Sequence, residues 1–281
     1  MTEAPSISQR AWQALLKLVL GLAAVTLSML LFRSLLLPAL VAVFHLAEPA
    51  TAVLRRSGIL AFALLGYWLF VRFHEKRAAT ELRIVPLGIG LGALSGALLI
   101  SITTLSLFAL GNYEVVAVRG MQGVPPIAGA ILVAAVIEEI VFRGIVFRAL
   151  EGALGTVAAV LVQSLVFAIM HWFNAGADVT MVLALTLIGA FWTCVFIASR
   201  NLWVVGLHHA AWNFAIFATG IPLSGMEDWR AKAPLESIYH GPTWLTGGEF
   251  GPETSIITAV VVLASIVVLV RWTRRQQAAT A

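Results

Sequence analysis

The sequence predicts an all-α, polytopic membrane helix bundle of about eight transmembrane helices. Three observations carry that expectation. Only 11% of the 281 residues are charged and 60% are hydrophobic, whereas a soluble globular domain carries about 25% charged residues. Apolar runs of membrane-spanning length recur along the chain. The polar stretches between them leave no room for a large water-soluble domain. The chain therefore reads as a single integral membrane domain over 1–281, with the lipid bilayer as its solvent. Its net charge of +4 comes from basic residues flanking the runs and gives no reason to expect a nucleic-acid partner. Cys194 is the one cysteine and lies inside an apolar run, which excludes an internal disulfide and argues against a cysteine metal site.

Taken in order, the runs predict spans near 12–32, 57–72, 87–110, 126–149, 153–174, 178–198, 202–220 and 255–271. The first follows Arg10 and carries Lys17, but continues past Met29 to Phe32 without a small-residue cleavage site. It reads as a span and not as a cleaved signal peptide. The segment 34–47 is apolar but interrupted by Pro38 and too short for a second crossing, so an interfacial or re-entrant piece is expected there. The second span is short and needs Arg55, Arg56 and Arg72 to snorkel at its ends. No internal repeat and no low-complexity tract interrupts this series.

Lys and Arg near the spans set the orientation. With both termini inside, ten basic residues fall on the inner side: Arg10, Arg72, Lys76, Arg77, Arg83, Arg148, Arg200, Arg271, Arg274 and Arg275. Six fall outside: Arg33, Arg55, Arg56, Arg119, Arg230 and Lys232. The balance favours cytoplasmic termini. The longest loop, about 221–254, is then external, Gly/Pro-rich and mildly acidic, and is expected over the mouth of the protein.

Against this background the stretch AAVIEEIVFRGIVF, 134–147, places Glu138, Glu139 and Arg143 inside a span. Each ionised side chain at a helix centre costs roughly 2.5–3.5 kcal/mol if it stands alone. Glu139 and Arg143 are four apart with the acid first, which is the favourable ion-pair order on one helix face. Glu138 is turned by about 100° from Glu139 and has no such partner, so it is left to face something polar. The next span carries His171 in SLVFAIMHWFN. Two spans later, in LWVVGLHHAAWNF, His209 and Asn213 share a face while His208 points elsewhere, towards packing. His45, His74 and His240 are peripheral. Glu138, His171, His209 and Asn213 each need a polar partner in lipid, and together they can satisfy one another around a water. Glu138 can take its proton, and Asn213 can donate to a developing oxyanion. A serine nucleophile is disfavoured, because no Gly-x-Ser-x-Gly elbow is present and Ser164 is only a small polar residue on the His171 helix.

EEIVFR (138–143), FAIMH (167–171) and HAAWN (209–213) resemble, in order and spacing, the three motifs of the CPBP family of intramembrane proteases. That family takes in the CAAX prenyl endopeptidases of the Ras-converting type and the bacterial Abi proteins. Gly144 and the Leu-Trp lead-in at 202–203 also fit its pattern. The resemblance covers about 130–215, within a motif-bearing core of about 126–220. It implies an intramembrane endopeptidase that hydrolyses peptide bonds of membrane-associated proteins or peptides with a glutamate-activated water. Carried over, Glu138 is the base, Glu139 and Arg143 support it, His171 and His209 are catalytic or metal-facing, and Asn213 faces the oxyanion.

The His-Glu-x-x-His zinc signature is missing. Glu138, His171 and His209 are still candidates for a three-ligand zinc site. Because a ligating Glu138 would not also be the base, a metal-free mechanism is preferred, with zinc kept as the alternative. The implied setting is a bacterial inner membrane. His171 falls late in its span and His209 early in its own, so a common site requires shifted or tilted helices. Two other classes compete: a proton- or ion-coupled transporter or channel, for which inverted repeats and broken helices are lacking, and a non-enzymatic bacteriocin-immunity or scaffold protein.

Overall fold

A computed structural model describes residues 6–280 of the protein. Helix formation starts at Ser6, whose hydroxyl accepts from the Gln9 N–H while the Gln9 side chain returns a bond to the Ser6 N–H. This capping box satisfies two of the donors left open at a helix start. Helix α1 then runs over Ile7–Phe44 without a break. The expected interfacial or re-entrant piece at 34–47 is therefore corrected: most of it continues the first helix. Phe32–Leu36 forms a π-turn in which the Leu37 N–H bonds to the Phe32 carbonyl. The ladder is thus already widened where Pro38 lacks its N–H, so the ring does not end the helix. At 38 residues, α1 is about 57 Å long and exceeds the hydrocarbon thickness.

The remaining long helices are α2 (Glu48–His74), α3 (Pro86–Ala109), α4 (124–154), α5 (Thr156–Ile169), α6 (Val179–Ser199), α7 (Leu202–Thr219) and α8 (Ile256–Thr280). Each corresponds to one expected span. Five, namely α1, α2, α3, α6 and α8, are long and apolar enough to cross a membrane. Helix α4 holds the charged motif, and α5 is a shorter apolar helix of 14 residues. Local chemistry sets the boundaries. Gly155, at φ +80°, turns the chain between α4 and α5. Asp178 and Asn201 cap α6 and α7 by accepting from Met181 N–H at 2.8 Å and Val204 N–H at 3.0 Å.

One feature departs from an all-helical chain. Strands β1 (Tyr113–Val118) and β2 (Leu235–Tyr239) pair antiparallel, with Tyr113 opposite Tyr239 and Val118 opposite Leu235. This ribbon joins the α3–α4 connection to the long loop at the same end of the bundle. At the opposite end, Arg77 and Arg148 share Glu75 and Glu81: Arg77 lies 2.7 Å and 2.6 Å from them, and Arg148 3.1 Å and 3.2 Å. Tyr67 donates to Glu81 and, at 3.3 Å, to the Gly144 carbonyl. The end of α2 is thereby fixed to the middle and lower part of α4.

The bundle turns apolar side chains both inward and outward. On α3, Leu91, Leu94, Leu98 and Leu105 are exposed, as lipid-facing residues are. The other side of α3 carries Gly92 and Gly96, both buried against α7. A Cβ on Gly96 would stand 2.0 Å from the His208 carbonyl oxygen, and one on Gly92 2.6 Å from that of Val204. Small residues four apart thus let the two backbones touch, where side-chain burial from water supplies no driving force. The same contact fixes the height of α7, and with it His209.

Gly96→Val is expected to force α3 and α7 apart, costing about 1–3 kcal/mol of stability and disturbing the site. Gly90→Ala, where a Cβ meets nothing within 4 Å, is expected to be tolerated. Thermal melts of the two purified variants in detergent check this, and equal melting temperatures would contradict the close-contact account.

Candidate active site

The site begins at a change of helix type. Helix α4 is regular from Val124 to Glu139, becomes a π-helix over Ile140–Phe147 and returns to α over Arg148–Leu154. π-turns inside α-helices often occur at functional sites. Here the wide turn begins directly after the two glutamates and contains Arg143.

Arg143 and Glu139 are fully buried and lie 2.9 Å apart. The expected ion pair is present, and its surroundings go further than the sequence suggested. Arg143 Nη2 donates to the Gly189 carbonyl of α6 at 2.7 Å. Its guanidinium lies over the rings of Phe167 from α5 and Trp192 from α6, at 5.4 Å and 5.8 Å. Glu139 Oε1, which accepts from Arg143, also accepts from His209 Nδ1 on α7 at 2.9 Å. Glu139 therefore orients a histidine as well as neutralising an arginine. His209 stacks on Trp192 with ring centroids 3.7 Å apart. Held through Nδ1 by a carboxylate and by its ring face, the imidazole presents Nε2 to the cavity.

Glu138 faces that cavity. Its side chain keeps 34% exposure and its Oε2 stands 3.9 Å from His209 Nε2, too far for a direct hydrogen bond. His171 reaches the same cavity by a different route from the one expected. Helix α5 stops at Ile169, so His171 sits in the turn that follows and not within a span. Its Nδ1 donates to the Phe167 carbonyl at 2.9 Å, and its ring packs on Phe167 at 4.7 Å. This ending reconciles the difference in depth: the early stop of α5 lets His171 and His209 line one cavity of about 380 Å³. Asn213 lines it too, one turn above His209, with its Oδ1 buried and unpartnered. His208 is turned away, as its position in the doublet predicts. Its Nδ1 meets Ser95 Oγ at 3.0 Å across the α3 contact.

The cavity has a roof that the motifs did not reveal. Leu223, Ser224, Met226, Trp229 and Glu253 of the long loop line it from the β-ribbon end. Asn174 Nδ2 donates to the Ser224 carbonyl at 2.8 Å. The Gly225 N–H donates to the Phe250 carbonyl at 3.0 Å. Glu253 is buried and accepts from the Ser224 hydroxyl. Burial pushes its carboxyl up to about 7, against the hydrogen bonds from Ser224 that hold it down. An acidic residue in a loop gives no signal in sequence, which is why Glu253 escaped notice beside the three buried motifs.

Among the described residues, no three His, Cys, Asp or Glu side chains gather closely enough to hold a metal ion. Glu138, His171 and His209 line one cavity without forming a ready ligand set.

A carboxylate, two imidazoles and an amide thus converge on one cavity of a helical membrane bundle. The match to known families is narrower. Residues 120–215 match the family model described as type II CAAX prenyl endopeptidase Rce1-like. The matched stretch is the one whose three motifs resemble the CPBP family, and it covers about a third of the chain. It spans the helices of all three motifs. It leaves α1 to α3, the roof loop and α8 outside. No curated protein and no solved structure matches the chain.

Changing Glu139 to Gln or Arg143 to Met alone is expected to lower stability by about 3–5 kcal/mol, because each leaves an uncompensated buried charge. The double variant is expected to lose less than the sum of the two. A double-mutant cycle on melting temperatures reads the coupling, and strict additivity would show that the pair does not act as one unit.

Proposed function

We propose that the protein is an intramembrane endopeptidase that hydrolyses a peptide bond of a membrane-associated protein or peptide with a water activated by Glu138. The observation that carries this reading is the spacing of Glu138 and His209. Glu139 fixes the proton on His209 Nδ1, so Nε2 offers a lone pair to the cavity. Glu138 offers a second acceptor 3.9 Å away. A water about 2.8 Å from both has each hydrogen committed and its oxygen lone pairs aimed into the cavity.

Attack then follows from charge and position. Glu138 takes a proton as the water oxygen bonds to the carbonyl carbon. The amide of Asn213, anchored one turn from His209, supplies an N–H to the oxyanion that develops. His171, with Nδ1 engaged by a carbonyl, leaves Nε2 for the cavity it lines. The leaving amine needs a proton from an acid in the cavity. The aromatic and aliphatic walls formed by Phe142, Phe167 and Leu185 exclude further water, which strengthens these electrostatic contacts.

Lys76, Arg77 and Arg83 at the α2–α3 connection, Arg148 near the end of α4 and Arg200 at the α6–α7 connection support cytoplasmic termini, which puts the roof loop at the outer face; the setting that fits is a bacterial inner membrane. The substrate is then a segment held in or at the bilayer.

Glu138→Gln preserves shape and removes the base, so cleavage is expected to fall by about 10²–10⁴ with the melting temperature kept. Comparative proteomics of membrane and secreted fractions, from cells carrying wild-type or Glu138→Gln protein, identifies what is cut. A well-folded Gln variant with near-normal cleavage would sink the base assignment. Thorough chelation is expected to leave wild-type cleavage intact, and its loss on chelation with recovery on zinc would overturn the metal-free reading.

A further inference from the structure

Glu253 is a second carboxyl in the cavity that contains Glu138, and the three motifs give it no role. It comes from the short turn Pro252–Thr254 that leads into α8. Its position is built, not incidental. The Ser224 hydroxyl holds it, and the Ser224 carbonyl is in turn held by Asn174, three residues beyond His171. The Trp212 indole N–H approaches it from α7 without meeting hydrogen-bond geometry. Within the cavity Glu138 stands on the α4 wall and Glu253 in the roof, with His171 and His209 as the other titratable groups lining it. Glu139 and Arg143 are sealed behind His209.

Resting on the protease reading, we propose that Glu253 is the acid that protonates the leaving amine. Two carboxyls in different environments are a general means of obtaining a base and an acid from one residue type. Glu138 is beside an imidazole and open to the cavity. Glu253 is buried in the roof, held by the Ser224 hydroxyl and away from both imidazoles' hydrogen bonds.

The step balances as follows. Water loses one proton to Glu138 as its oxygen bonds to the carbonyl carbon. When the C–N bond breaks, its electron pair stays on nitrogen, which takes the proton of Glu253. The acyl product keeps the second proton of water until it ionises. Transfer of the proton from Glu138 to Glu253 restores both groups.

The test uses the full chain in proteoliposomes and a library of internally quenched, lipid-anchored peptides, from which one cleaved by the wild type is chosen. Glu253→Gln keeps an acceptor for Ser224 and removes the acid. It is expected to lower kcat about tenfold or more with little change in KM. The fall in kcat on the alkaline side, centred near pH 7 for wild type, is expected to disappear. Ser224→Ala removes a donor that favours the ionised carboxylate, so the alkaline limb is expected to move to higher pH. A Gln variant with wild-type kcat and an unchanged pH profile overturns the inference. Should that variant melt early, an alkaline limb that stays in place in Ser224→Ala overturns it instead. If Glu138→Gln is inactive while Glu253→Gln is not, this assignment fails and the protease reading stands. A library left uncut by the wild type takes down both.

Discussion

Everything around the cavity hangs on one guanidinium buried inside the bundle. Arg143 could not stay charged at that depth without partners, and its direct partners come from three helices, with a fourth joined through Glu139. Glu139 is its own neighbour on α4, Phe167 belongs to α5, Gly189 and Trp192 to α6, and Glu139 hands the connection on to His209 of α7. The cost of the charge is met only when these helices assemble in one way. A purely apolar bundle would have no comparable reason to choose one rotation of each helix, since lipid and side chain are equally greasy. The charges that look out of place in the sequence are what specify the bundle.

The arrangement also separates a buried, braced carboxylate from one that faces the cavity. Glu139 is fully buried and serves two donors through a single oxygen, leaving its Oε2 without a partner. Glu138, its sequence neighbour, keeps a third of its surface open. Adjacent residues on a helix point about 100° apart, so one can belong to the frame while the other belongs to the cavity. The π-helix that follows repositions Arg143 beneath them.

Much of this was legible in the sequence, for a physical reason. A bilayer fixes the length of apolar runs, so the eight long helices could be read from their runs, and any charge within them stands out. Glu138, Glu139, Arg143, His209 and Asn213 fall where that logic puts them. It failed where hydropathy carries no geometric information. The residues around His171 are apolar enough to continue a helix, yet the chain turns after Ile169. The segment after Phe32 contains a proline, yet a π-turn carries the helix through it. YEVVAV and LESIY form a ribbon only because they meet across more than a hundred residues. Glu253 was invisible because an acid in a loop costs nothing until the fold buries it.

The roof has a consequence for biosynthesis. The three motifs are complete by Asn213, but the residues that close the cavity extend to Glu253, and α8 then fastens that segment through the hydrogen bond of Thr258 to Thr103 at 3.0 Å. During translation the motif helices enter the membrane before the polypeptide that encloses them has been made. A ribosome that stalled after α7 would release a chain with its motifs in lipid and no chamber around them. Order along the gene thus delays the finished chamber until the last helix is inserted, so the nascent chain passes its own insertion stage before it has a closed site.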